Sequence, residues 1–94
     1  GIENVIEGAA NGVSIYPNPA TDNVTINFTV NQQSDVTIEA IDFTGRTVTT
    51  IVKRQMAKGN HNSTWNTGLL PNGIYFVRIS IPGSGMISKK VVIL

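Results

Sequence analysis

Residues 16–30 read YPNPATDNVTINFTV, and the second half of this stretch decides the fold. From residue 23 onward, apolar and polar side chains alternate strictly. One face would carry Val24, Ile26, Phe28 and Val30. A period of two is typical of a strand with one buried face. The sequence therefore predicts a strand over Asn23–Val30, in a protein built from sheets.

The composition extends this prediction to the whole chain. The 94 residues include 12 Ile and 10 Val against 3 Leu, together with 10 Thr and 10 Asn. Branched side chains favour strands and asparagine favours turns, and this length allows one domain. A formal net charge of +1 with 14% charged residues predicts neither a nucleic-acid surface nor an acidic tail.

Several other protein classes lack their sequence features here. Cysteine is absent, so disulfides and thiolate metal sites are excluded. No apolar run reaches the roughly 20 residues of a membrane helix. The first residues, GIENVIEGAANG, have neither the basic start nor the apolar centre of a signal peptide. We interpret residues 1–12 as a linker or leader and residues 13–94 as the domain.

Turn residues divide the domain into short segments with a strand pattern. The predicted strands are Val13–Tyr16, Asn23–Val30, a third containing Val36, Ile38 and Ala40, Thr47–Met56, His61–Trp65, Ile74–Ile81 and Met86–Leu94. A break in the period at Ile41 and Phe43 predicts a bulge or a strand that changes partner, and a second break lies between Val48 and Ile51. Gly45 in DFTGR predicts a hairpin turn with positive φ. Seven short strands without a helical pattern predict an all-β fold, a seven-stranded antiparallel immunoglobulin-like β-sandwich.

Reactive side chains are sparse in this sequence. The single histidine, His61, has no visible nucleophile or orienting partner, so we interpret it as a surface residue. Asp22, Asp35 and Asp42 belong to no DxDxDG run, and we interpret them as turn caps rather than calcium ligands. The sequence predicts no enzyme, no catalytic residue, no cofactor and no metal site.

The aromatic residues would form a sugar-binding platform only if they were exposed together. Alternation places Tyr75 on the same face as Val77 and Ile79, which favours the core. Trp65 is assigned to the core by analogy with the buried tryptophan of many sandwiches. Neither argument applies to Tyr16, the third aromatic residue of the possible platform.

The last nine residues, MISKKVVIL, depart from the pattern of a strand with one buried face. One face would carry Lys89, Val91 and Ile93, and the other Lys90, Val92 and Leu94. A central strand covered on both faces explains this pattern. An exposed apolar end with a free carboxylate, bound by strand addition or terminus capture, explains it equally well. The sequence leaves both interpretations open.

Four segments in order carry a family resemblance: YPNPATD, DFTGR, LPNGIYFVRI and the terminal KKVVIL. Over residues 13–94 the chain resembles the C-terminal sorting domain (type A) of cargo proteins of the type IX secretion system in Bacteroidetes. The resemblance implies a sorting signal that directs a cargo protein to the cell surface, without an active site. The implied partners are an N-terminal cargo domain, the secretion machinery and a cell-surface sortase. The implied location is the periplasm in transit, and then the outer membrane and cell surface or the medium outside the cell.

The resemblance also assigns expected roles to particular residues. Its motif matches are Tyr16, Pro17, Asn18, Pro19, Gly45, Arg46, Gly73 and Tyr75. The recognition signal falls on Lys89, Lys90, Val91, Val92, Ile93 and Leu94. The sortase would cut within Gly8, Ala9, Ala10, Asn11 and Gly12. Proline fixes φ, so we interpret the PNP segment as a stiff, extended boundary that keeps proteolysis outside the sandwich.

Other functions remain open on the sequence alone. An immunoglobulin-like sandwich also serves as a binding or adhesion module for carbohydrate or protein, or as a structural spacer. An apolar last strand would also allow a homodimer through strand pairing.

Overall fold

A computed structural model describes residues 13–94, and every regular element in that range is a strand. The strands are β1 (Ser14–Tyr16), β2 (Asn23–Val30), β3 (Ser34–Asp42), β4 (Thr47–Met56), β5 (Gly59–Asn66), β6 (Gly73–Ile81) and β7 (Gly85–Ile93). All seven predicted strands are confirmed. A search of residues 13–94 for a helix with the length and hydropathy of a membrane span found none.

The strands form two antiparallel sheets that face each other. One sheet has the order β1-β2-β5 and the other the order β4-β3-β6-β7. The chain changes sheet between β2 and β3, between β4 and β5, and between β5 and β6. This arrangement is immunoglobulin-like, with β4 at the edge of the sheet that contains β3, β6 and β7. The predicted fold class is confirmed.

The inner faces of the two sheets build one core. The four apolar residues of β2 named above have no exposed surface. Tyr75 and Trp65 are also buried, and their rings meet edge to face with centroids 6.1 Å apart. Full burial of a valine, isoleucine or phenylalanine side chain, as in β2, stabilises the folded state by about 1.5–3 kcal/mol. The core assignment of both aromatic residues is confirmed, so they form no exposed sugar-binding platform.

Two bulges interrupt β4 where it pairs with β3. Ile38 pairs with Val52 and Glu39 with Thr50, which leaves Ile51 as an extra residue. The second shift, between Ala40 and Ile41, leaves Val48 as an extra residue. The bulge interpretation of the period breaks is confirmed. They increase the local twist of an edge strand and make it a poor template for another strand.

β7 lies at the other edge of the same sheet, next to β6. The interpretation of the last strand as a central strand is therefore wrong. Val91 and Ile93 are buried on the inner face, whereas Leu94 is 61% exposed. Val92 is half-buried on the outer face, where it pairs with Ile74 of β6. The end of β7 is apolar on both faces because Val91 and Ile93 face the core and Val92 lies beside Ile74 on the outer face.

Candidate recognition site

All four motif segments meet at one end of the sandwich. β6 begins with Gly73 opposite Ile93 of β7, and Asp42 at the end of β3 pairs with Tyr75. In the other sheet, β2 begins at Asn23, opposite the end of β5. We call this the motif end, formed by residues 17–22, 43–46, 67–73 and 90–94. The turns at residues 31–33, 57–58 and 82–84 form the opposite end.

The proline-bracketed segment crosses from one sheet to the other. Tyr16 ends β1 in the three-stranded sheet, and Ala20 then forms a parallel bridge with Ile93. The Ala20 N–H donates to the Val92 carbonyl at 2.8 Å, and the Leu94 N–H donates to the Ala20 carbonyl at 2.9 Å. Ala20 is fully buried. The expected extended boundary is instead a crossing segment that packs against the terminal strand.

Asn18 extends this contact along the edge of β7. Its Nδ2 donates to the Lys90 carbonyl at 2.9 Å, and its Oδ1 accepts the Val92 N–H at 3.0 Å. A carboxamide offers a donor and an acceptor side by side, as a peptide group does. The flanking residues Pro17 and Pro19 have no N–H, so the Asn18 side chain supplies the donor. We call Asn18 and Ala20 the edge clamp.

The six predicted signal residues differ widely in accessibility. Val91 and Ile93 are buried, and Lys89 and Val92 are half-buried. Lys90 and Leu94 are exposed. The outward-facing set is therefore Lys90, Val92 and Leu94.

The glycine-arginine turn is held by its own hydrogen bonds. Gly45 has a φ of 94°, as the turn prediction requires, and the Asp42 N–H donates to the Arg46 carbonyl at 2.9 Å. Asp42 Oδ1 accepts the Thr44 hydroxyl at 2.6 Å and the N–H groups of Thr44 and Arg46, each at 3.0 Å. The Thr44 hydroxyl first, and then the Arg46 N–H, lower the pKa of Asp42. Asp42 is confirmed as a turn cap.

The positive charge of this turn, on Arg46, is solvated. The Arg46 side chain is 84% exposed, with its Nε 3.6 Å from Asp42 Oδ2. A pair in this setting contributes little to stability because water screens it. The Arg46 guanidinium is accordingly open to a partner.

Gly73 and Tyr75 shape the loop before β6. The Tyr75 hydroxyl donates to the Pro71 carbonyl at 2.8 Å, the arrangement known as a tyrosine corner in immunoglobulin-like domains. Gly73 has a φ of 153°, within the region that favours glycine. Both residues therefore fix the position of the loop that lies beside the end of β7.

His61 lies far from these segments. Its Nε2 is 2.7 Å from the Ala57 carbonyl, and its ring stacks on Phe28 with centroids 5.8 Å apart. The alternation of β5 places His61 on the same face as Trp65, so it is half-buried rather than the predicted surface residue. Between residues 13 and 94, no three His, Cys, Asp or Glu side chains come close enough to hold a metal ion.

Sequence reasoning placed the motifs but missed what the edge clamp contacts. Asn18 was assigned by resemblance alone, and Ala20 was not singled out. The one available signal was an asparagine between two residues that lack an N–H, a position where its side chain can replace the missing donors. The expected cleavage region, residues 8–12, lies outside the described residues.

Exposed apolar side chains surround the motif end. Phe43, Leu69, Ile74 and Leu94 belong to different strands and loops, and all have large exposed areas. Leu69 is 99% exposed and Phe43 is 77% exposed. This surface combines exposed apolar side chains with the exposed cations Arg46 and Lys90, a mixture typical of protein-binding surfaces.

Comparisons with known proteins agree with this arrangement. The family model described as "Secretion system C-terminal sorting domain" matches residues 14–94. Dimeric latent PorU from Porphyromonas gingivalis superposes with a TM-score of 0.70 and 23% identity, over 88% of this chain and 9% of that chain. No curated protein matches the sequence.

A second structural match has the same fold. PorZ, described as an essential surface component of the type IX secretion system of P. gingivalis, superposes with a TM-score of 0.66 and 23% identity. The match covers 95% of this chain and 12% of PorZ, so the chain spans a small part of both longer proteins. The family match over residues 14–94 shows that this chain belongs to the secretion system C-terminal sorting domains, which act as type IX signals directing cargo to the cell surface or out of the cell.

Proposed function

We propose that this domain is the removable tail of a larger cargo protein and that the secretion machinery recognises its motif end. Recognition would occur in the periplasm and at the outer membrane, before a cell-surface sortase cuts upstream of β1. One observation carries the proposal: segments distant in sequence meet beside the end of β7. A partner docking there would contact all four motifs of the family at once.

The proposed signal is the terminal strand from Lys89 to Leu94. Lys90 and Leu94 are exposed, and Lys89 is half-buried. Arg46 and the exposed apolar residues around the motif end would add contact area. The flanking motif residues, including Gly73 and Tyr75, would act by holding this surface in shape.

The structure dictates how a test of this signal should be designed. Deleting residues 89–94 would remove the buried Val91 and Ile93 and open the core. Loss of secretion in that deletion would therefore report unfolding as well as loss of the signal. Substitution of the two lysines, Lys89→Ala with Lys90→Ala, keeps the buried Val91 and Ile93 in place.

We would fuse a fluorescent reporter with a signal peptide to residues 1–94 and express it in a bacterium that has this secretion system. The matched control is Lys53→Ala with Arg54→Ala, which also removes two positive charges, but from exposed positions on β4. The wild-type and control tails should bring the reporter to the cell surface. The Lys89/Lys90 variant should leave most of it in the periplasm.

Two results would contradict the proposal. Equal secretion of all three fusions would mean that the lysines are not read, and no surface reporter with the wild-type tail would mean that this domain is not a sufficient signal. Cleavage is read from the same cells, because the mass of the released tail gives its first residue. We expect that residue to lie within or directly after residues 8–12.

A homodimer is a second proposed interaction of this domain. The edge clamp covers the outer edge of β7 from the Lys90 carbonyl onward. The earlier part of the same edge, near Met86, has no strand beside it among residues 13–94. Two copies could pair there in antiparallel fashion. Sedimentation at several concentrations tests this, and a mass that stays monomeric at all of them would rule it out.

The alternative function is a binding or adhesion module with the same fold. Such a module would need an exposed aromatic platform, and Trp65 and Tyr75 are instead buried. Membership of the sorting family favours the signal.

A further inference from the structure

The outer edge of β7 would be open without the proline-bracketed segment. Among residues 13–94, β6 is the only strand that pairs with β7, which is the last strand of its sheet. Backbone groups of alternate residues point to opposite edges of a strand. In the terminal segment, Lys90, Val92 and Leu94 therefore direct backbone groups away from β6.

The edge clamp pairs these backbone groups one after another. Asn18 bonds the Lys90 carbonyl and the Val92 N–H, and Ala20 bonds the Val92 carbonyl and the Leu94 N–H. The distances run from 2.8 to 3.0 Å, which are ordinary values for N–H···O bonds. A partner strand could not add here without displacing the clamp.

We propose that Asn18 is a positioning residue that closes the terminal edge, so that a partner reads the signal through outward side chains rather than by strand addition. The side chains left to read are Lys90, Val92 and Leu94, with Ile74 beside Val92 in register. This inference rests on the proposed sorting function. It adds that the first motif acts on the last one through two side-chain hydrogen bonds.

The first test measures the clamp without secretion. Amide hydrogen exchange is followed by NMR in the purified domain of residues 1–94, for the wild type, Asn18→Ala, Asn18→Asp and Asn62→Ala. Asn62 is an exposed residue of β5 and controls for the loss of an asparagine. Loss of one hydrogen bond of about 1.4 kcal/mol corresponds to about tenfold faster exchange, provided that local opening controls the rate.

We expect exchange of the Val92 amide to accelerate about tenfold in Asn18→Ala and to stay unchanged in Asn62→Ala. Asn18→Asp keeps the acceptor for Val92 but loses the donor to Lys90, so its effect should be smaller. Amides of Ile38 and Ala40 in the core serve as internal references. An unchanged Val92 rate in Asn18→Ala would overturn the proposal.

The second test asks how the signal is read. The reporter fusion carries Asn18→Ala, Val92→Asn, or the control Val48→Asn, an exposed valine at the opposite edge of the same sheet. Asn18→Ala and Val92→Asn should each reduce surface reporter at least threefold, while Val48→Asn retains it. Val92→Asn should leave the protection factor of the residue 92 amide, its exchange rate relative to the intrinsic rate of that residue type, near that of the wild type.

The outcomes separate this inference from the proposed function. A wild-type tail that fails to reach the surface would contradict the sorting function, while the exchange data would still decide whether Asn18 closes the edge. A secreted wild type together with full secretion of Asn18→Ala or of Val92→Asn would overturn the inference alone. Melting curves of all variants identify any loss that is due to unfolding.

Discussion

The two ends of the sandwich are closed by contacts of different range. At the opposite end, Ser34 bonds the carbonyl of Gln32, two residues away, and His61 contacts Ala57, four residues away. At the motif end, the bonds of Asn18 span 72 and 74 residues, and Thr67 reaches Thr21 across 46. Both ends contain local turns, and the longest side-chain bond near the opposite end, from Thr29 to Asn60, spans 31 residues. The motif end differs because its longest bonds join segments from the beginning, middle and end of the domain.

Because of this difference, we expect the opposite end to contribute to stability alone and the motif end to serve recognition as well. A local turn folds the chain back and needs only its own residues. An end assembled from distant segments presents one surface only when the whole domain is folded. A partner that binds the motif end therefore distinguishes a folded domain from an unfolded one. Substitutions matched between the two ends test this view.

The largest effect is expected for matched core substitutions. Ile93 of β7 lies at the motif end and Ile81 of β6 at the opposite end, and each is 1% exposed. Replacing either by alanine leaves a cavity, so Ile93→Ala and Ile81→Ala should each lower the free energy of unfolding by about 2–5 kcal/mol. Urea denaturation of the purified domain measures both losses. A loss below about 1 kcal/mol at Ile93 alone would show that the motif end is less well packed than the structure indicates.

Matched glycine substitutions sharpen the comparison. Gly45 at the motif end has a φ of 94° and Gly83 at the opposite end a φ of 82°, and a Cβ would meet no atom within 4 Å at either position. Gly45→Ala and Gly83→Ala should each cost about 1–3 kcal/mol through backbone strain. Both losses are read from urea denaturation.

Only Gly45→Ala should also reduce surface reporter in the secretion assay, because only that turn belongs to the motif end. Equal secretion of the two variants would break the link between this turn and recognition. A lower secretion of Gly83→Ala would place a recognised element at the opposite end.

The smallest effect is expected from the Asp42 carboxylate. Its pKa is lowered by the Thr44 hydroxyl and then by the Arg46 N–H, so the folded state favours the charged form. Its contribution is therefore present above the ordinary value of 3.8 and is lost as the pH falls through the lower folded pKa. Asp42→Asn should lower Tm slightly at neutral pH, and the difference from wild type should shrink in acid below that value.

A control for this pH dependence is available in the same strand. Asp35→Asn makes the same chemical change at an exposed position near the opposite end. A difference between wild type and Asp42→Asn that stays constant from neutral pH into acid would show that the charge of Asp42 does not contribute.

The sequence predicted the fold well because alternation is a local property. The period of two over β2 placed its side chains, and the broken period placed the bulges at Val48 and Ile51. Local patterns do not reveal which strand lies at an edge, so the position of β7 stayed open. The pairing of Asn18 with Val92 depends on two segments far apart in the chain, and no periodicity reports such a contact. His61 was misplaced because the alternation of β5, which puts it on the same face as the core residue Trp65, was not applied to it.

The edge clamp has a consequence for the order of events during synthesis. Asn18 and Val92 are 74 residues apart, so Asn18 leaves the ribosome long before its partner exists. A chain that stops before Lys90 offers the clamp no backbone to bond, however well its earlier strands have formed. The first motif can therefore close only after residues 90–94 have been synthesised. The domain thus carries a check that its last strand is present.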